Sequence, residues 1–148
     1  MAEKPSVFLD TSALFAGIWS EQGGARLILT LGETGACRIV ASSLVLSEIE
    51  SALRRKAPDL LGLLAFILDR CNLDIAPDGP AKLIDTLTRL TGHEADSRIL
   101  AAAWQAGYFV TLDRKHILDN RKLSKAVPFQ IGTPGEFIKW YRSRIQPP

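Results

Sequence analysis

The chain has 148 residues, of which 47% are hydrophobic and 23% charged, with 18 Lys and Arg against 16 Asp and Glu. This length and composition predict one globular domain and exclude intrinsic disorder, a collagen-like repeat and a coiled coil. The net charge of +2 is too small to indicate a nucleic-acid-binding protein, although residues 114–148 hold 8 basic and 2 acidic side chains. That basic end could meet an anionic partner, or it could be a solvated tail.

Short apolar runs alternate along the chain with longer segments of helical periodicity. Strands are predicted at residues 6–9, 38–40, 73–75, 108–112 and 129–131. Helices are predicted at residues 14–31 with an interruption at Gly23 and Gly24, at 43–55, 58–70, 80–90 and 94–106, briefly after Asp113, and at 134–144. This order predicts an α/β fold with a mostly parallel sheet covered by helices on both faces, because parallel strands need crossover helices. We expect a single domain over residues 1–148, with 145–148 as a flexible tail.

The 2 cysteines and 2 histidines have no ligand-like spacing, so neither a zinc site nor a disulfide framework is predicted. No apolar run approaches the roughly 18 residues that a membrane span needs. We therefore expect no membrane partner and a location in the reducing cytoplasm.

Two aspartates directly follow apolar strands. Asp10 ends the first predicted strand, and Asp113 ends the fourth. Both carboxylates are thus expected at the carboxyl edge of the sheet, where ligands of open parallel sheets bind. An ordinary helix N-cap is the alternative for each of them.

Two further acids occupy helix positions where apolar residues are expected. Counted at about 100° per residue from Leu44, Glu48 falls at about 40°, inside the apolar arc of its helix. Counted from Glu94, Asp96 falls at about 200°, opposite a polar stripe that includes Ser97. A buried carboxylate must be paired or must bind a cation, since an isolated one costs several kcal/mol. A salt bridge to a buried Arg or Lys is the structural alternative.

Four acids that meet at one sheet edge would repel one another unless a cation joins them. Oxygen ligands without cysteine or clustered histidine select hard ions. The residues therefore predict a Mg²⁺ or Mn²⁺ site formed by Asp10, Glu48, Asp96 and Asp113.

In these residues and their order the sequence resembles the PIN-domain family of metal-dependent nucleases and, in size, the VapC-type toxins of prokaryotic toxin–antitoxin pairs. The resemblance runs from Val7 to about Trp140. Three segments carry it: VFLDTSAL, SSLVLSEIESALRR and HEADSRILAAAWQAGYFVTLDRKH. The acids and hydroxyl residues of the family fall on Asp10, Ser12, Glu48, Asp96, Thr111 and Asp113.

The resemblance implies a three-layer α/β/α sandwich whose five-stranded sheet has the order 3-2-1-4-5, with the strands of Asp10 and Asp113 side by side. It also implies an endoribonuclease that cleaves single-stranded RNA with Mg²⁺ or Mn²⁺ and water. A cognate antitoxin, which would cover apolar surface such as the leucines at 60, 61, 63 and 64, and a second copy in a homodimer are the implied protein partners.

Other polar residues are given supporting roles. Ser12 and Thr111 are expected to orient the carboxylates, with local turn or cap hydroxyls as the alternative. Four basic residues just past the fourth acid are expected to contact RNA phosphates, with a solvated helix face as the alternative. They are Arg114, Lys115, Arg121 and Lys122. Tryptophans 19, 104 and 140 are interpreted as core or interface residues and not as a stacking platform.

The sequence lacks the residues that several other functions require. A haloacid-dehalogenase-like phosphatase would need a second Asp where Ser12 stands, a receiver domain would need an Asp ending its third strand, and a P-loop is absent from the sequence. An RNA-processing nuclease outside a toxin–antitoxin pair and a PIN-like binding module with weak catalysis remain open alternatives.

Overall fold

The computed structural model describes residues 4–145 of the chain. The strands are β1 (Ser6–Leu9), β2 (Arg38–Ser42), β3 (Asp74–Ala76), β4 (Tyr108–Val110) and β5 (Gln130–Gly132). The helices are α1 (Thr11–Trp19), α2 (Gly24–Glu33), α3 (Ser43–Lys56), α4 (Leu61–Arg70), α5 (Ala81–Thr91), α6 (Glu94–Ala102), α7 (Arg121–Ala126) and α8 (Pro134–Ile145). Short helical turns at Pro58–Leu60 and Arg114–Leu118 complete the described chain.

The five strands form one sheet in the order β3-β2-β1-β4-β5, and every neighbouring pair is parallel. Helices α1 to α4 and α8 form one group of contacting helices, and α5 to α7 form another. The molecule is thus a three-layer α/β/α sandwich, which confirms the predicted fold class and strand order. Because β1 leads to β2 on one side and pairs with β4 on the other, the strand order reverses between β1 and β4.

The two central strands form the middle of the hydrophobic core. Val7, Phe8 and Leu9 in β1 are at most 1% exposed, and the side chains of β4 are buried as well. The rings of Phe8 and Phe109 stack with centroids 5.4 Å apart. Such continuous apolar strands are typical of parallel sheets that are covered on both faces.

The predicted helices and strands differ from the structure mainly at their ends. Helix α1 begins at Thr11 and not at residue 14, because Asp10 caps it. Strand β4 ends at Val110 and not at 112, since the Leu112 amide donates to the Ser12 hydroxyl instead of to a strand. Helix α6 ends at Ala102, four residues early, in a turn that i to i+3 hydrogen bonds tighten. The predicted break before α2 is confirmed at Gly23, which has a φ of 107°.

At the carboxyl terminus, α8 continues through Ile145, so a tail can begin only at residue 146. Residues 146–148 lie outside the described residues. The leucine run predicted as a partner surface serves mainly the core: Leu64 is 7% exposed, and the leucines at 60, 61 and 63 pack against the core while partly buried. Within the described chain, no helix has the length and apolar character needed to cross a membrane.

Candidate functional site

A cavity of about 550 Å³ opens at the carboxyl ends of β1 and β4, between α1, α3 and α6. All four acids selected from the sequence line it: Asp10, Glu48, Asp96 and Asp113. They come from the end of β1, from α3, from α6 and from the chain after β4. The fold therefore brings four distant sequence positions to one place at the switch point of the sheet.

Asp10 is 7% exposed and is the N-cap of α1. Its Oδ1 accepts hydrogen bonds from the Ala13 amide at 2.9 Å and from the Ser12 hydroxyl at 2.7 Å. Burial raises the pKa of the Asp10 carboxyl, while hydrogen bonds from Thr111, Ala13 and Ser12 oppose the rise. A smaller contribution in the raising direction comes from the charge of Asp113. A cation would be favourable beside such a buried acid, because it stabilises the charged form.

Asp113 also caps a helical turn. Its Oδ1 accepts the His116 amide at 3.0 Å, and its Oδ2 lies 3.3 Å from Nδ1 of the same histidine. The N-cap alternative is therefore what the geometry shows for Asp113, as it is for Asp10. Each cap uses Oδ1, so capping does not exclude a second role for the same carboxylate.

Glu48 is half-buried, and its partner is a hydroxyl and not a base. Thr11 Oγ1 donates a 2.6 Å hydrogen bond to Glu48 Oε1, which joins the first turn of α1 to α3. The ion pairs within residues 4–145 involve neither Glu48 nor Asp96. The salt-bridge alternative is therefore not realised for either acid in the described chain.

Asp96 is half-buried in the first turn of α6, where the helix dipole favours an acid. The prediction for its neighbour Ser97 is wrong, because Ser97 is fully buried and not part of a polar stripe. The Ser97 hydroxyl donates to the His93 carbonyl at 2.9 Å and lies 2.8 Å from Thr91 Oγ1. These bonds satisfy a hydroxyl that would otherwise be costly to bury.

The two hydroxyl residues selected from the sequence link the strand ends that carry Asp10 and Asp113. Ser12 Oγ donates to Asp10, accepts the Leu112 amide at 3.0 Å and lies 3.4 Å from Thr111 Oγ1. Thr111 is fully buried and accepts the Asp113 amide at 3.0 Å. Both hydroxyls therefore contact the acids or the backbone that carries them.

The donor set matches a hard cation in its chemistry, since four carboxylates line the cavity. The side chains are not preassembled, because no group of three or more His, Cys, Asp or Glu among residues 4–145 is arranged to hold a metal ion. Thr11 and Ser12 hold two of the carboxylates in hydrogen bonds. A shared ion would therefore require side-chain movements that bring the carboxylates closer together.

The predicted RNA-binding residues are exposed and lie outside the cavity wall as the described residues define it. Arg114 and Lys115 belong to the helical turn directly after Asp113, and Arg121 and Lys122 begin α7. Their contact with phosphates stays a prediction.

Several residues of the cavity wall were not expected at the site from the sequence, among them Thr11, Phe15, Trp19 and Lys56. Residues four positions apart share one face of a helix. A helix begun at Thr11 and not at residue 14, and α3 continued by one residue to Lys56, would have placed them beside the acids. Trp19 is 57% exposed and Trp104 40% exposed, so neither is a core residue and their interpretation as interface residues stays a prediction, whereas Trp140 packs against Tyr108 and Phe137.

No model of a known protein family matches the sequence, and no curated protein is significantly similar to it. Among solved structures, the chain is similar to a chain in the crystal structure of VapBC2 from Rickettsia felis bound to a DNA fragment from their promoter. The superposition has a TM-score of 0.58 at 21% sequence identity and covers 86% of this chain and 98% of that chain. This similarity supports the PIN-like fold, and membership of the family stays a prediction.

Proposed function

We propose that this chain is a Mg²⁺- or Mn²⁺-dependent endoribonuclease that cleaves single-stranded or loop RNA, and that it is the toxin of a type II toxin–antitoxin pair. The observation that carries the proposal is the meeting of Asp10, Glu48, Asp96 and Asp113 in one cavity where the strand order reverses. The similarity of fold to a chain of the VapBC2 structure supports the toxin assignment.

In this proposal Asp10, Asp96 and Asp113 hold the divalent ion, and Glu48 helps them directly or through water. When bound, the ion offsets the negative charge of the phosphodiester and makes water a better nucleophile. Water would then be the attacking nucleophile, the carboxylates would serve only as ligands, and no protein nucleophile is needed.

The hydroxyl residues have a positioning role in this proposal. Ser12 fixes the Asp10 carboxylate and also binds the chain beyond β4 through the Leu112 amide. Thr11, in the first turn of α1, fixes the Glu48 carboxylate of α3. Such hydrogen bonds orient the carboxylates before a metal ion binds, as hydrogen bonds to the ligands of metal sites generally do.

The proposed partners are RNA, a cognate antitoxin and a second copy of the chain. Arg114 and Lys115 would meet RNA phosphates beside the fourth acid, and Arg121 and Lys122 would extend the contact along α7. An antitoxin would place a basic side chain near the acids. Because the acids repel one another, either a metal ion or a basic side chain would stabilise them.

A second function, a binding module with weak or no catalysis, is favoured by one specific observation. The four acids lie in one cavity, but no three of them are arranged to hold an ion in the described chain. A site of this kind could bind RNA or a protein partner without turnover.

Calorimetric titration with Mg²⁺ and Mn²⁺, followed by cleavage of a mixed single-stranded RNA in the same samples, tests the proposal. The variants are Asp96→Asn, which lines the cavity, and Asp119→Asn as the matched control, which is exposed and outside the cavity wall. We expect the wild type and Asp119→Asn to bind metal and cleave RNA, and Asp96→Asn to lose both.

Metal binding without cleavage by the wild type would favour the binding module. Absence of metal binding by the wild type would contradict the assignment of the four acids. Equal loss in Asp119→Asn and Asp96→Asn would show that the effect is not specific to the cavity.

A further inference from the structure

The cavity continues away from the acids as a groove between α1 and α3. Its walls are two rows of residues at a four-residue spacing, Thr11, Phe15 and Trp19 on α1 and Glu48, Ala52 and Lys56 on α3. The rows meet at the acid end in the Thr11 to Glu48 hydrogen bond of 2.6 Å. They meet again farther along, where Lys56 Nζ lies 5.5 Å from the ring centroid of Phe15. At the helical rise of about 1.5 Å per residue, the α1 row is about 12 Å long.

The far end of the groove presents a flat aromatic surface. Trp19 is 57% exposed, and its ring stacks on Phe15 with centroids 5.6 Å apart and planes inclined by 16°. The guanidinium of Arg26 donates to the carbonyls of Gly17 and Ile18 and so fixes the last turn of α1. The indole is therefore an exposed ring on a backbone that is held in place.

The charge of the groove changes along its length. The acids occupy one end, while Lys56 in the last turn of α3 lines the groove away from them. The neighbouring Arg54 lies outside this cavity wall and pairs with Glu50 at 2.7 Å. An aromatic face next to a cation is the combination with which proteins bind single-stranded nucleic acid, because the ring stacks on a base and the cation meets a phosphate. A protein side chain could also cover a lone tryptophan, but a flanking cation and continuity with the acid end favour a nucleic acid strand.

We propose that Trp19, supported by Phe15, is a stacking subsite for one base of the RNA strand whose phosphodiester lies at the acids, and that Lys56 contacts a phosphate between the two. This inference rests on the proposed ribonuclease function and adds to it a base-binding position about 12 Å along α1 from the acids. Because every base has an aromatic face, the subsite selects unstacked, single-stranded RNA and not a particular base.

The test measures binding of a short, fluorescein-labelled single-stranded RNA by anisotropy, in an Asp10→Asn background that prevents cleavage. Trp19→Ala should weaken the Kd at least about fivefold, the loss of one stacked base, and Trp19→Phe should weaken it less. Trp104→Ala is the matched control, since Trp104 is an exposed tryptophan outside the cavity wall. We expect it to bind RNA as the background protein does.

A strand with abasic positions separates stacking from a general effect on binding. The background protein should bind the abasic strand about as weakly as Trp19→Ala binds the normal strand, and Trp19→Ala should cause no further loss on the abasic strand. Tryptophan fluorescence should be quenched by the normal strand in the background protein and much less in Trp19→Phe, which retains an aromatic ring for folding.

Unchanged RNA affinity in Trp19→Ala overturns the subsite while the nuclease proposal stands if the wild type cleaves RNA. Equal losses on the normal and abasic strands also overturn it. Strong, Trp19-dependent binding by a wild type that neither binds metal nor cleaves RNA supports the subsite and contradicts the nuclease. RNA binding by none of these proteins contradicts both.

Discussion

Asp10 caps α1 with one carboxylate oxygen while the whole carboxylate lies buried near a second acid. Asn caps a helix about as well as Asp, whereas Ala does not. We expect Asp10→Asn to be at least as stable as the wild type, because it removes a buried charge, and Asp10→Ala to be about 1 kcal/mol less stable than Asp10→Asn. Urea denaturation measures both differences.

RNA cleavage should be lost in both Asp10 variants, since neither retains a carboxylate. Stability and activity would then change in opposite directions in Asp10→Asn, as expected of an acid kept for function. An Asp10→Asn protein that is less stable than Asp10→Ala would contradict this assignment of the cap.

The two buried cysteines make the free energy of unfolding depend on pH. Burial raises the pKa of the Cys37 and Cys71 thiols from 9.0 to about 11, and the charge of Glu33 adds to the rise for Cys71. Because the unfolded chain ionises first, stability from these thiols is complete below pH 9.0 and is lost as the pH rises toward about 11. We expect the urea midpoint to fall over this range.

A cysteine variant provides the control for that prediction. Cys71→Ala should be less stable at neutral pH, because it leaves a small cavity, but its midpoint should fall less steeply between pH 9.0 and about 11. A thiol reagent at pH 8 should react with the native wild type only as fast as it unfolds. Rapid reaction of the native protein would show that the thiols are more accessible than the structure implies.

The sequence was sufficient to predict the positions and the order of the helices and strands, but not all of their end residues. Continuous apolar runs identify buried parallel strands without knowledge of their neighbours. The start of α1 and the end of β4 depend instead on the Asp10 cap and on the bond between Leu112 and Ser12, which joins residues far apart in sequence.

The same distinction applies to the site. Helical angles identified Glu48 and Asp96 because each falls on the wrong side of its own helix. They failed for Ser97, which is fully buried beside Thr91. An angle assigns a residue to a face, whereas burial depends on what packs against that face.

The loop before α5 shows how tightly one element is held against the helix of Asp96. A Cβ atom added at Gly79 would collide with the backbone carbonyl of Ala101 in α6. We expect Gly79→Ala to destabilise the protein by about 1 to 3 kcal/mol, because backbone has to move. The affinity for metal should fall as well, because a displacement of α6 would also move Asp96.

Gly62 in α4 is the matched control, because a Cβ there meets nothing within 4 Å. Gly62→Ala should stabilise the protein by roughly 0.5 to 1 kcal/mol through helix propensity. Thermal denaturation of both variants measures the contrast. A Gly79→Ala protein as stable as Gly62→Ala would show that the loop can move away from α6 at no cost.

For the whole molecule, a small net charge conceals a separation of charges. The net charge is only +2, yet four acids share one cavity while 8 of the 18 basic residues lie in positions 114–148. A nuclease of this kind would bind RNA through phosphates near the site while the acids themselves repel them. Binding should therefore depend strongly on salt, in proportion to the number of phosphates contacted.

The salt dependence of RNA binding tests whether the basic residues after Asp113 contact phosphates. For single strands, log Kd changes with log salt concentration by about 0.7 per phosphate contact, so the double variant Arg114→Gln/Lys115→Gln should lower the slope by about 0.7 to 1.4. Lys82→Gln/Arg89→Gln, exposed on α5, removes the same charge away from the cavity wall and should leave the slope nearly unchanged. Equal slopes for the two double variants would mean that net charge, and not a phosphate contact beside the fourth acid, accounts for RNA binding.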